Sequence, residues 1–224
     1  MIGVYDYTVI LTYLSLISGS LGIFVSLSGL GHPYYGVFFL LFCGLCDAFD
    51  GKVASTKKKR TDEEKRFGIQ IDSLSDLVAF GILPAAIGVA MYHRSIFLNG
   101  LPHKRVLDFF VYGFLALYAL AALIRLAYFN VQEETRQKKE KNKKRKEYTG
   151  LPVTSSALIF PFVMLLQFLS PMDMTLVYFG AIIVTGICFL SKFKIKKFDT
   201  KGILILVLIG AIEFIALLIS KLMK

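Results

Sequence analysis

Two pairs of aspartates stand where carboxylates are costly. Asp47-Ala48-Phe49-Asp50-Gly51-Lys52-Val53-Ala54-Ser55 closes one apolar run, and Gly68-Ile69-Gln70-Ile71-Asp72-Ser73-Leu74-Ser75-Asp76 opens the next. A charge at membrane depth costs roughly 2.5–3.5 kcal/mol, so four together cost on the order of 10 kcal/mol unless something compensates them. The spacing names the compensation. Asp47 and Asp50 are i, i+3 on a helix, with Gly51 and Ala54 continuing their face. Gly68, Asp72 and Asp76 are i, i+4, i+8 and share one face of the following helix. Carboxylate oxygens are hard ligands, suited to Mg²⁺, Mn²⁺ or Ca²⁺. Two such ions would neutralise the cluster and could clamp a pyrophosphate.

The elements that carry these residues are set by hydropathy. The 224-residue chain is 55% hydrophobic and only 19% charged. Its mean hydropathy is +0.62. An ordinary soluble domain carries about 25% charge. Seven apolar stretches are long enough to cross a bilayer, at about 7–29, 34–55, 69–92, 107–130, 152–169, 173–190 and 202–221. The expected fold is all-α, one polytopic transmembrane bundle. Asp6 with no preceding Lys or Arg makes the first stretch a retained span rather than a cleaved leader.

The net charge of +10 does not point to nucleic acid, because the basic residues collect in short connections. The second (56–68), fourth (131–151) and sixth (191–201) connections hold 19 Lys and Arg, against five on the alternate side. That bias puts the N-terminus and the acidic cluster on the cytoplasmic side. The basic run from Arg136 to Lys146 reads as a topology determinant, or as an attractor for anionic lipid heads. Cys43, Cys46 and Cys188 read as reduced apolar fillers, and His32, His93 and His103 have no ligand spacing.

The aspartate pattern resembles the signature of the CDP-alcohol phosphotransferases, Asp-x-x-Asp-Gly-x-x-Ala-Arg, a short spacer, then Gly-x-x-x-Asp-x-x-x-Asp. This chain supplies Asp47, Asp50, Gly51 and Ala54, then Gly68, Asp72 and Asp76. The resemblance covers roughly 1–190, a transmembrane bundle, leaving 191–224 as a basic loop and an extra span. It implies that Asp47, Asp50 and Asp72 bind two divalent cations, Mg or Mn, with Ca also able to occupy the site. Asp76 is a further ligand or the general base. Gly51, Ala54, Ser55 and Gly68 fall on the nucleotide and CDP-lipid side. Two departures stand out. Ser55 occupies the place of the family arginine, and twelve residues separate it from Gly68 where eight are usual. Lys57, Lys58 or Lys59 could replace the missing cation, and the extra four residues add about one helical turn or a looser loop.

A second constellation bears on the acceptor alcohol. Arg125-Leu126-Ala127-Tyr128-Phe129-Asn130 is followed, after the basic loop, by Tyr148-Thr149-Gly150-Leu151-Pro152. This resembles the phosphatidylserine synthase branch of the family. The branch implies transfer of a phosphatidyl group from CDP-diacylglycerol to L-serine with release of CMP, in the cell membrane, by a homodimer in the lipid bilayer. Arg125, Asn130, Thr149 and Gly150 are then candidates for the serine pocket. An arginine fork binds a carboxylate or a phosphate at two points. Plainer roles are open for each: a snorkelling Arg125, Asn130 as a C-terminal helix cap, and Gly150 with Pro152 ending a loop. Glycerol 3-phosphate or an inositol phosphate is the alternative acceptor. A divalent-cation transporter is a remote alternative, since its carboxylates would sit nearer the bilayer midplane.

Overall fold

A computed structural model of the chain describes residues 3–29, 33–139, 147–169, 172–196 and 200–222. Each of the seven apolar stretches forms a helix. In chain order they are α1 (Ile10–Leu27), α2 (Tyr34–Thr56), α3 (Asp62–Asp76), a π-helical segment (Leu77–Ile82) running into α4 (Leu83–Arg94), the single turn α5 (Ile96–Asn99), α6 (Lys104–Lys139), α7 (Ser156–Leu169), α8 (Thr175–Leu190) and α9 (Thr200–Leu222). α3, the π segment and α4 form the third of the seven.

This is an all-α membrane protein. Among the described residues, three helices, Ile10–Leu27, Asp62–Arg94 and Lys104–Arg136, are long and apolar enough to cross a membrane. α2 is 23 residues long but carries Asp47, Asp50 and Lys52. The outward faces are apolar: Phe24, Phe110, Leu117 and Ile212 are each about two-thirds exposed. α1 is inside out by the standards of a soluble protein. It buries Thr12, Ser15, Ser18, Gly19, Gly22 and Ser26 and exposes Leu14, Ile17, Leu21 and Phe24. Lipid tails are as apolar as leucine, so helices in a bilayer associate through small and weakly polar residues that let backbones approach.

α1 lies along α2, and also touches α3 and α4; α2 packs on α7 and α9, and α6 on α4 and α8. Gly44, one turn before Asp47, sets the α2–α7 approach: a Cβ there would lie 2.5 Å from the Ala157 Cβ. Tyr92, Tyr178, Phe80, Phe160 and Phe189 fill the centre between α4, α6, α7 and α8.

Two helices run further than the charge pattern suggests. The third begins at Asp62, not near 69, because Thr61 and Glu64 form a capping box. The Thr61 hydroxyl accepts from the Glu64 N–H at 3.1 Å, and the Glu64 carboxylate accepts from the Thr61 N–H at 2.9 Å. Asp62, Glu63 and Glu64 also suit the positive end of the helix dipole. Part of the longer spacer thus becomes extra helix. α6 continues to Lys139, so Asn130 lies inside it and is not its C-terminal cap. The structure also adds a short antiparallel ladder, β1 (Glu147–Thr149) with β2 (Lys194–Lys196), pairing Thr149 with Lys194. His32 and residues 140–146 of the basic run lie outside the described residues.

Candidate active site

α2 and α3 bring their aspartates together as the spacing requires. One carboxylate oxygen from each of Asp47, Asp50 and Asp72 lies within 4.8 Å of the others, and all three side chains are partly exposed. Asp76 stands one turn deeper on α3, is 8% exposed, and is not one of that close trio. Three oxygens at such separations fit the coordination sphere of a hard divalent cation.

The turn of α3 that carries these residues is held on both sides. The Ser75 hydroxyl donates to the Thr12 carbonyl of α1 at 3.1 Å. The Asn130 amide of α6 donates to the Ser73 hydroxyl at 2.7 Å. Asn130, expected near the acceptor, thus touches the helix that carries Asp72 and Asp76 directly. Sequence reasoning gave Ser73 and Ser75 no role; their signal was two hydroxyls between Asp72 and Asp76. On α2, Cys43 donates its S–H to the Ser15 carbonyl at 3.2 Å, fixing that helix against α1. Cys43, Cys46 and Cys188 are all free thiols.

Gly51 is exposed, and a Cβ there would meet nothing within 4 Å. Packing within the chain therefore does not demand glycine; a close ligand would. Ala54 is half-buried on the same helix. Ser55 turns its hydroxyl back onto its own helix, donating to the Lys52 carbonyl at 2.7 Å. Lys57, one candidate for the missing family cation, is occupied: its ammonium pairs with Asp6 at 2.6 Å and Glu64 at 2.8 Å. Lys58 and Lys59 are exposed. The Lys57 ammonium, followed by the Thr8 hydroxyl, holds the Asp6 carboxyl down at about 2. This contact ties the α2–α3 turn to the segment before α1.

The remaining acceptor candidates form a knot at the end of α8. Arg125 is 4% exposed, its Nε donates to the Leu151 carbonyl at 3.0 Å, and its guanidinium lies 5.7 Å from the Phe129 ring centre. Gly150 donates to the Phe193 carbonyl at 2.7 Å, and Leu151 to the Cys188 carbonyl at 3.1 Å. Gly150 has φ +77°, which favours glycine, and a Cβ there would come within 2.7 Å of the Ser191 carbonyl and 3.4 Å of Arg125 Nε. Arg125, Thr149 and Gly150 are thus brought together, while Asn130 is held at Ser73.

Residues 8–191 match the CDP-alcohol phosphatidyltransferase family. The chain belongs to that family, and it is a multi-pass membrane protein. Its relatives include the CDP-diacylglycerol–serine O-phosphatidyltransferase of Saccharomyces cerevisiae, 33% identical over 66% of this chain and 50% of the yeast protein. The Helicobacter pylori protein of the same name is 28% identical over 69% of this chain and 57% of its own length. The archaetidylserine synthase of Methanothermobacter thermautotrophicus is 26% identical over 86% of this chain and 70% of its own. The chain spans about half the length of the first two relatives.

Proposed function

We propose that the chain transfers the phosphatidyl group of CDP-diacylglycerol to L-serine, giving phosphatidylserine and CMP. The observation that carries this reading is the convergence of Asp47, Asp50 and Asp72, within a family match that includes all three. The names of the relatives support serine as acceptor. Phosphoryl-type transfer needs little covalent help from a protein; it needs positioning and charge neutralisation.

Asp47, Asp50 and Asp72 would hold divalent cations, Mg or Mn, which when bound neutralise the diphosphate and stabilise the departing CMP. Gly51 and Ala54 let the nucleotide approach α2, and Gly68 lies on the CDP-lipid side of α3, with the Arg60 guanidinium beside it. The serine hydroxyl oxygen bonds to the lipid-bearing phosphorus as the bond from that phosphorus to the CMP oxygen breaks. The hydroxyl proton passes to a carboxylate, for which Asp76 is our candidate. Arg125 is our candidate for the serine carboxylate, with Thr149 and Gly150 shaping the wall beside it and Asn130 bracing α3. We place the site on the cytoplasmic face of the cell membrane, in a homodimer, with residues 1–190 as the catalytic bundle and 191–224 as an appended basic loop and span.

The test is turnover by the purified protein with CDP-diacylglycerol and a panel of labelled serine, glycerol 3-phosphate and inositol phosphate. Serine-dependent CMP release with a phosphatidylserine product supports the reading. Turnover with a phosphorylated acceptor alone overturns it.

A further inference from the structure

We infer that Arg60 binds the diphosphate of the CDP-lipid; this rests on the phosphatidyl-transfer reading and extends it to a residue outside the family motif. Arg60 is the last residue before the Thr61 cap of α3. Its side chain folds back along that helix, with Nη2 donating to the Glu64 carbonyl at 3.3 Å. The same nitrogen lies 2.8 Å from where a Cβ on Gly68 would stand. A Cβ direction marks a helical face, and residues four apart share one. The guanidinium therefore sits on the face of α3 that carries Asp72, about 6 Å back along the axis.

Among the described residues this cation lacks a counter-anion: Arg60 makes no ion pair with any of them. Three neighbouring carboxylates are engaged elsewhere: Glu64 with Lys57 and the Thr61 N–H, Asp62 with Lys65, and Asp6 with Lys57, while Glu63 is exposed. Arg60 Nε is shielded from solvent and has no hydrogen-bond partner among the described residues. A half-buried guanidinium held in this way would gain from an anion that reaches it along α3. A diphosphate fits: one end would lie at the aspartate cluster and the other one turn back at Arg60. The planar fork matches phosphate oxygens at two points, which a lysine cannot do. Gly68 also acquires a purpose, because any side chain there would take the guanidinium's seat.

The experiment compares wild type with R60A, R60Q and R66A, the last at an exposed position of α3, in detergent micelles containing Mg²⁺. It measures equilibrium binding of CDP-diacylglycerol, the KM of each substrate and the melting temperature. R60A and R60Q are expected to weaken CDP-diacylglycerol binding about 10- to 100-fold, the range for losing a charged hydrogen-bond partner. The KM for serine should change by less than about twofold, and R66A should match wild type, because an exposed charge contributes little. R60Q keeps a polar amide donor without the charge, so it carries the test if R60A does not fold. Unchanged CDP-diacylglycerol binding in folded R60Q overturns the inference, as does an equal loss in R66A. The binding arm contains no acceptor. If wild type binds CDP-diacylglycerol but does not use serine, the acceptor assignment fails while Arg60 is still read. If wild type does not bind CDP-diacylglycerol, both fail.

Discussion

The Tyr118 hydroxyl donates to the Phe80 carbonyl at 2.8 Å, and Phe80 is the residue four positions before Pro84. A proline within a helix has no N–H for the carbonyl four residues back, and its ring crowds that carbonyl. The chain answers with the π-helical segment Leu77–Ile82 and with a phenol from α6 in place of the lost donor. Ser156 Oγ of α7 lies 2.9 Å from the same hydroxyl, so three helices meet at this repair. It begins immediately after Asp76, which makes the depth and direction of that carboxylate depend on it.

Tyr118→Phe should therefore destabilise the protein by about 1–3 kcal/mol, the cost of leaving a buried carbonyl unpaired. Thermal melting in detergent checks this. Ser156→Ala should cost less, since the Phe80 carbonyl keeps its donor. Equal melting of Tyr118→Phe and wild type would show that the π segment satisfies Phe80 by another route.

Activity should require a divalent metal. Asp47→Asn, Asp50→Asn and Asp72→Asn each remove one anionic oxygen donor from a trio within 4.8 Å. Each should nearly abolish turnover while CD and melting stay near wild type. Excess chelator should do the same to wild type, and added Mg²⁺ or Mn²⁺ should restore it. Wild-type rates in all three variants would remove the trio from the metal site.

Asp6 supplies a pH dependence with a definite sign. Its carboxyl is held at about 2, below the ordinary 3.8, first by Lys57 and then by Thr8. A carboxyl depressed in the folded state stabilises the fold above its unfolded pKa, and that contribution is lost as pH falls through the folded value. Asp6→Asn should melt below wild type at about pH 6, and the two should converge as the pH approaches 2. A melting difference independent of pH over that window would show that the ion pair contributes nothing.

How far the sequence revealed the site depends on what kind of contact is involved. Asp47, Asp50 and Asp72 could be placed together because helical periodicity fixes faces and a short connection fixes neighbours. The start of α3 was misjudged because six basic residues between 57 and 66 read as a loop, although Thr61 and Glu64 already carried the capping pattern. The end of α6 was misjudged for a similar reason. Residues 131–139 are charged but are mostly good helix formers, and propensity prevailed over polarity. Contacts such as Asn130 with Ser73, or Tyr118 with Phe80, join residues 57 and 38 positions apart. Only the folded bundle shows them. Pro84 was the one local sign that a carbonyl in this helix would need an outside donor.

The topology can be tested at Glu63, which is exposed in the first turn of α3. A cysteine there, in a Cys188→Ser background, should resist an impermeant thiol reagent in intact cells and react after the membrane is opened. Labelling from outside would invert the bundle and move the active site to the other face.

Arg125 carries one role that the structure shows and one that we propose. Its Nε holds the Leu151 carbonyl, and so supports the knot in which Gly150 meets Phe193. Its charge is what a serine carboxylate would need in a partly dry pocket. Arg125→Ala removes both. Stability should fall by about 1–3 kcal/mol for the orphaned carbonyl. In the folded fraction, kcat/KM for serine should fall by about 10- to 150-fold, with CDP-diacylglycerol binding near wild type. Arg125→Lys keeps the charge but not the fork, so it should restore serine use only in part. Gly150→Ala serves as the control. Its Cβ would lie 2.7 Å from the Ser191 carbonyl, so it strains the knot while leaving the Arg125 charge in place. If the arginine binds serine by charge, Gly150→Ala should lower the melting temperature more than it lowers serine affinity, and Arg125→Ala should do the reverse. Parallel losses in the two variants would assign Arg125 to the knot alone and withdraw it from the serine pocket.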